Sequence, residues 1–161
     1  MRELIFVDTE TGGLNHKTDP LVELTWARRE GEPKTLWFGV KEVPEFIDNL
    51  IGFTKRGLAG RLSPWNEVQE FLAASEGATM VAANPAFDKA FMDENGLFNF
   101  HYRMLDIESY AMARLDLTEV PGLNTVFEIL KGDGAVLTEP DHTSRNDVLA
   151  MREAFLILEQ L

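Results

Sequence analysis

Cysteine is absent from the 161 residues, which excludes disulfides and thiolate metal sites and suits a cytoplasmic protein. No apolar run reaches membrane-spanning length, so no membrane partner is expected. Met1-Arg-Glu-Leu-Ile-Phe-Val-Asp8 meets an acid too soon to read as a signal peptide and is expected to be a strand. With no internal repeat, low-complexity tract or linker, the chain parses as one domain over residues 1–161. Positive charge is scarce: 15 Lys plus Arg face 27 Asp plus Glu, for a net charge of −12 and a pI near 4.6. A nucleic-acid binder usually carries a basic footprint, since phosphate contacts supply most non-specific affinity. A chain this acidic can still act on nucleic acid if bound cations carry the electrostatics, and it should then grip weakly or hold only a short end.

What is present suits a folded chain, with 45% hydrophobic residues. Leu4 to Asp8 reads as a buried strand. Leu21 to Arg28 and Thr35 to Lys41 read as a hairpin across Glu30-Gly31-Glu32-Pro33. A short helix is expected over Pro44 to Ile51. Ser63 is placed to cap a second helix, with Pro64 at its first position, running to about Ala74. Strand Thr79 to Ala83, helix Pro85 to Glu94 and strand Met104 to Ile107 follow. Helices Ile107 to Arg114 and Leu123 to Lys131 come next, then a last helix from Ser144 with Val148, Met151, Phe155 and Leu158 near helical period. This order predicts an α/β fold, a mixed sheet flanked by helices.

Acids recur at element ends. Strand alternation puts Asp8 and Glu10 on one face, where two like charges are costly unless a cation neutralises them. Magnesium and manganese prefer such oxygen ligands. Thr11-Gly12-Gly13-Leu14 then forms a turn in which backbone can approach a ligand closely. Taken alone, the pair reads first as solvated acids at a capped strand end. Asn84-Pro85 opens a helix that holds Asp88 near its first turn, where an acid also simply favours the helix dipole. Phe87 and Phe91, four apart, read by default as core packing. His142 and Asp147 open the final helix, placed so that both reach one cleft, although a lone histidine there also serves as a cap or surface residue.

In this order the residues resemble the DEDDh branch of the DEDD 3′–5′ exonucleases, which includes the proofreading subunit of bacterial replicative polymerase, ribonuclease T and oligoribonuclease. Phe-Val-Asp8-Thr-Glu10-Thr-Gly-Gly-Leu14 is similar to the first family motif, and Ala83-Asn84-Pro-Ala-Phe87-Asp88-Lys-Ala-Phe91-Met to the second. His142-x-x-x-x-Asp147 is similar to the third, and the likeness spans roughly residues 4 to 158. The chain departs from the family at Ala83, where His is frequent, at Gly12, where Thr is common, and at Asn146, where an acid is frequent. A sister branch uses Tyr-x-x-x-Asp, and Tyr102-Arg-Met-Leu-Asp106 has that spacing. That stretch reads as a strand ahead of two helices, so Asp106 is assigned to a strand end or cap and His142 keeps the role.

The resemblance implies a ribonuclease-H-like domain and two divalent cations, Mg2+ or Mn2+, held by Asp8, Glu10, Asp88 and Asp147. His142 would act as general base, and free histidine, titrating at about 6.5, suits that task at neutral pH. Water would attack the terminal phosphodiester and release a nucleoside 5′-monophosphate from a 3′ end, single-stranded or short, of DNA or RNA. Thr11 and Leu14 would hold the terminal nucleotide, while Asn84 and Phe87 would line its pocket. A polymerase or a second copy of the chain is the protein partner such a domain would take. Two other classes stand beside this one: a non-catalytic docking domain of the same fold, which would need none of the carboxylates, and a metal-dependent phosphomonoesterase, which would release inorganic phosphate. From the residues alone, Gly52 to Arg61 carries Lys55, Arg56 and Arg61 and no acid. It reads either as a pliable loop whose cations contact phosphate, with Phe53 stacking a base, or as a solvated loop whose charges offset nearby acids.

Overall fold

Alternation along the first strand sorts the core into two layers. In the computed structural model, which describes residues 1–161, β1 (Leu4–Thr11) sends Ile5 and Val7 to one side of the sheet and Phe6 to the other, each fully buried. β2 (Leu21–Ala27) lies antiparallel to β1, and β3 (Lys34–Trp37) antiparallel to β2 at the edge. On the other side β4 (Thr79–Ala82) and β5 (Leu105–Asp106) add in parallel, giving the order β3-β2-β1-β4-β5. This is the ribonuclease-H-like mixed sheet that the sequence predicts, with β1 at its centre.

Helices cover both faces: α1 (Glu45–Ile51), α2 (Trp65–Ser75), α3 (Pro85–Glu94), α4 (Ile107–Arg114), α5 (Leu123–Gly132) and α6 (Ser144–Leu158). On one face Ile5, Val7 and Trp26 pack with Phe71 of α2 and Phe91 and Met92 of α3. On the other, Phe6 and Val81 pack with Ile107, Val126 and the α6 residues Val148, Met151 and Phe155. Each such side chain contributes about 1.5–3 kcal/mol by leaving water, and Phe6 and Phe155 meet edge to face at 5.5 Å. Burial on both faces explains why β2 is buried at every position. No helix is long and apolar enough to cross a membrane.

Three local expectations are corrected. β3 stops at Trp37 rather than Lys41, because Gly39 at φ 72 leaves extended backbone and Phe38 makes only an isolated bridge to Leu62. Ser63 does not cap α2: its Oγ accepts the Trp37 amide at 2.9 Å, and the helix starts one residue after Pro64. The segment after α1 is held rather than pliable. Gly52, Gly57 and Gly60 turn it at positive φ, and the Thr54 amide donates to Asp48 at 2.8 Å. Phe53, 3% exposed, packs with Val22, Ile51 and Leu58, so it presents no ring for a base.

Candidate active site

The carboxylates meet where β1 ends. Asp8 and Glu10 share the face of Phe6, toward α6, and Thr9 faces the other way. Between Glu10 and Thr11 the register with β2 slips, from Glu10 opposite Glu23 to Thr11 opposite Leu21, and such irregularities re-aim strand-end side chains. α6 brings Asp147 to the same place, so that one oxygen each of Asp8, Glu10 and Asp147 lies within 4.8 Å of the others. Asp88 stands outside that trio. Its Oδ1 accepts the Thr9 amide at 3.0 Å and the Thr9 hydroxyl at 2.6 Å, which fastens the first turn of α3 to the strand between Asp8 and Glu10.

Burial and mutual repulsion set the protonation of this cluster. Burial, then Glu10, Asp88, Asp147 and Glu23, push the Asp8 carboxyl well above its ordinary range. Glu10 rises to about 9, through burial first and then Asp147, Glu23 and Asp88, with Arg56 opposing. Burial raises Asp88 to about 7 despite its bonds from Thr9. Burial also raises Asp147 to about 6, although the Asp141 amide, which donates to it at 3.0 Å, and nearby His142 pull the other way. One Asp8 oxygen, Oδ2, is buried with no hydrogen-bond partner. An all-oxygen donor set, short of positive charge and with an orphaned carboxylate oxygen, fits a hard divalent cation such as Mg2+ or Mn2+.

His142 is exposed at the mouth of α6, while Thr143 caps the helix by accepting the Asn146 amide. Of the three non-glycine residues at positive φ, two lie here: Asn84 (φ 53) ahead of α3 and His142 (φ 61) ahead of α6. Backbone held in this sparsely populated region clusters at functional sites. Asn84 does not cap α3 with its side chain; it is exposed, and its amide donates to Asp106 at 3.3 Å. Asp106 caps α4, as the sequence suggested, with Tyr102 exposed and separate from the cluster.

Beside Glu10 opens a cleft of about 510 Å³, lined by the Thr11–Leu14 turn, by Phe46, Ile47 and Leu50 of α1, and by Phe87. Leu14 is 85% exposed and Phe46 75%, so apolar surface is offered next to acids. Phe87 has both roles the sequence left open: its ring packs on Phe91 at 5.0 Å and it also lines the cleft. The turn glycines line this cleft and also serve close packing. A Cβ on Gly12 would stand 2.6 Å from the Pro20 ring, and one on Gly13 2.2 Å from Asp19 Oδ2.

The three loop cations diverge. Lys55 is exposed, and Arg61 lies over the Trp37 ring at 3.6 Å. Arg56 turns inward to Glu23, which the sequence reading missed. Glu23 is fully buried, and its signal was available: a lone acid within the apolar run Leu21-Val-Glu-Leu-Thr-Trp26.

No family model matches the sequence, and no curated protein does. Solved structures do match. The zinc-bound Escherichia coli exonuclease I–single-stranded DNA complex superposes with a TM-score of 0.70 at 14% identity, over 99% of this chain and 41% of that one. The chain has the fold of the matched part of exonuclease I. A moderately thermophilic exonuclease I from Methylocaldum szegediense gives a TM-score of 0.67 at 19% identity, over 99% of this chain and 40% of that one. Brucella melitensis NrnC with bound Mg2+ gives 0.56 at 18% identity, over 99% of this chain and 73% of that one. The chain therefore spans about two fifths of the length of the exonuclease I chains it matches, and within that span carries the exonuclease I fold throughout.

Proposed function

We propose that this chain is a DEDDh-type, metal-dependent 3′–5′ exonuclease that hydrolyses terminal phosphodiesters of DNA or RNA to nucleoside 5′-monophosphates. The observation that carries the reading is the convergence of Asp8, Glu10 and Asp147 within 4.8 Å, with Asp8 Oδ2 buried and unpartnered. The exonuclease I fold supports it, as do the Mg2+ held by NrnC and the single-stranded DNA held by the E. coli enzyme.

Asp8, Glu10 and Asp147, with Asp88 fastened beside them, would hold two divalent cations, Mg2+ or Mn2+. When bound, such cations stabilise charge on the attacking and leaving oxygens of an in-line displacement. His142 takes one proton from the attacking water at a ring nitrogen. The water oxygen bonds to phosphorus and the P–O3′ bond breaks; the leaving O3′ takes a proton from solvent, giving a 3′-hydroxyl on the shortened strand and a 5′-phosphate on the released nucleotide. Thr11, Leu14 and Phe87 line the cleft in which the terminal nucleotide would lie, whereas Asn84 is not among its lining residues. Lys55, exposed, and Arg61, held over the Trp37 ring, are the loop cations left to meet phosphates upstream.

A panel of 5′-labelled DNA and RNA oligomers of several lengths, digested with Mg2+ or Mn2+, tests the reading and ranks the substrates. Mononucleotides and a ladder shortening from the 3′ end are expected. Inorganic phosphate as sole product would identify a phosphomonoesterase, and no product on any strand would leave a docking domain.

A further inference from the structure

Glu23 is a carboxylate at 0% exposure, directly across the β1–β2 pairing from Glu10. An acid so placed should be among the costliest side chains in the molecule unless fully partnered. Its partners come from three other parts of the fold. Oε1 accepts the Ser144 amide at 3.1 Å and the Ser144 hydroxyl at 3.0 Å. Oε2 accepts Trp37 Nε1 of β3 at 3.1 Å. One Arg56 amino group donates to both oxygens, at 3.1 Å and 2.9 Å, while the other donates to the Ile51 carbonyl at 3.1 Å.

Ser144 is the first residue of α6, two after His142 and three before Asp147. Its amide is one of the helix-start donors that the helix itself leaves unsatisfied, and an anion there also meets the positive end of the helix dipole. The Ser144 hydroxyl is shared between Glu23 and Thr25 Oγ1, the latter at 2.7 Å, and Thr25 stands opposite Asp8 in the pairing. The start of α6 is thus tied to β2 at the two positions that face Asp8 and Glu10 across the strands.

We propose that Glu23 is a positioning residue: with Arg56 as its fixed counter-charge, it sets the first turn of α6, and through it His142 and Asp147, against the carboxylates at the end of β1. The proposal rests on the cation-holding reading of the site given above. It also explains why Arg56 turns inward, fastened at Ile51 and at Glu23 rather than free for substrate.

Mn2+ titration of the intact chain by calorimetry separates this from a pure charge effect, because the two differ in sign at Arg56. As a positioning pair, Arg56→Gln weakens Mn2+ binding about 10–100-fold, as is typical of groups that orient metal ligands. Glu23→Gln does the same, and the double variant is no worse than the poorer single. Ser144→Ala changes no charge and little volume, so it should fold, and it shifts affinity in the same direction by less. On a short labelled oligonucleotide at saturating Mg2+, all four lower kcat while KM holds. If Arg56 is only a positive charge near Glu10, Arg56→Gln tightens Mn2+ binding and the double variant returns toward the parent, which overturns the proposal. Unchanged affinity and kcat with a lower melting temperature would overturn it too, leaving a buried structural pair. A parent chain that binds Mn2+ but releases no mononucleotide would sink the exonuclease reading, while the affinity series still decides the role of Glu23. A parent that binds no Mn2+ removes both.

Discussion

Neutralising Asp147 should stabilise the protein in the absence of metal. Its carboxyl, raised from 3.8 to about 6 mainly by burial, holds a proton in the folded state across a pH range where the unfolded chain has lost it. Its contribution is therefore complete below about pH 4 and is lost as pH rises through about 6. The gap between 3.8 and about 6 corresponds to a cost of about 3 kcal/mol at pH 8. Asp147→Asn removes that cost and keeps an oxygen to accept the Asp141 amide, so the local shape is preserved. For a chain of this size about 3 kcal/mol is a rise of about 6–12 °C in Tm. Differential scanning calorimetry in EDTA at pH 8 should show the variant melting higher by that order, with the advantage nearly gone at pH 4. Saturating Mg2+ at pH 8 should reverse the ranking, since the parent keeps a ligand that the variant lacks. A variant that melts at or below the parent at pH 8 without metal, or whose advantage is the same at both pH values, would refute the reasoning.

Further outcomes follow from the same geometry. His142→Ala should lower kcat by about 10²–10⁴-fold while calorimetric Mn2+ affinity is retained; turnover near the parent value would remove the general-base assignment. Replacing Lys55 and Arg61 together with glutamine should raise KM on long single strands and flatten the log KM against log salt slope by about 1.4, two phosphate contacts on a single strand. Dinucleotide cleavage should be untouched, and equal slopes would show that neither cation meets the strand. Gly13→Ala puts a Cβ 2.2 Å from Asp19 Oδ2, so it should destabilise by about 1–3 kcal/mol and raise KM on dinucleotides, read from denaturant melts and steady-state kinetics.

The sequence made the strand-end acids legible because side-chain alternation needs only local rules: Asp8 and Glu10 had to share a face. The approach of Asp147 was legible only through the likeness of its motif, since nothing local brings α6 back to β1. The fastening of Asp88 to Thr9, between Asp8 and Glu10, was not visible, because that contact spans two elements far apart in the chain. Arg56 and Phe53 misled for one reason. A stretch rich in glycine and free of acid reads as pliable and solvent-facing, but the glycines here turn the backbone so that both side chains point inward. Glu23 was passed over because an acid in an apolar strand breaks no motif. Its meaning comes from Ser144, Trp37 and Arg56, which only the fold assembles around it.

The central claim is that the carboxylates at the end of β1 make this chain a nuclease acting from the 3′ end. The most direct measurement is digestion of a 5′-labelled single-stranded oligonucleotide with Mg2+ by the parent and by Asp8→Asn, with products identified by mass. The account predicts a ladder shortening from the 3′ end, nucleoside 5′-monophosphates as the released species, and no cleavage by the folded variant. Internal cuts, or an Asp8→Asn protein that cleaves as fast as the parent, would contradict it.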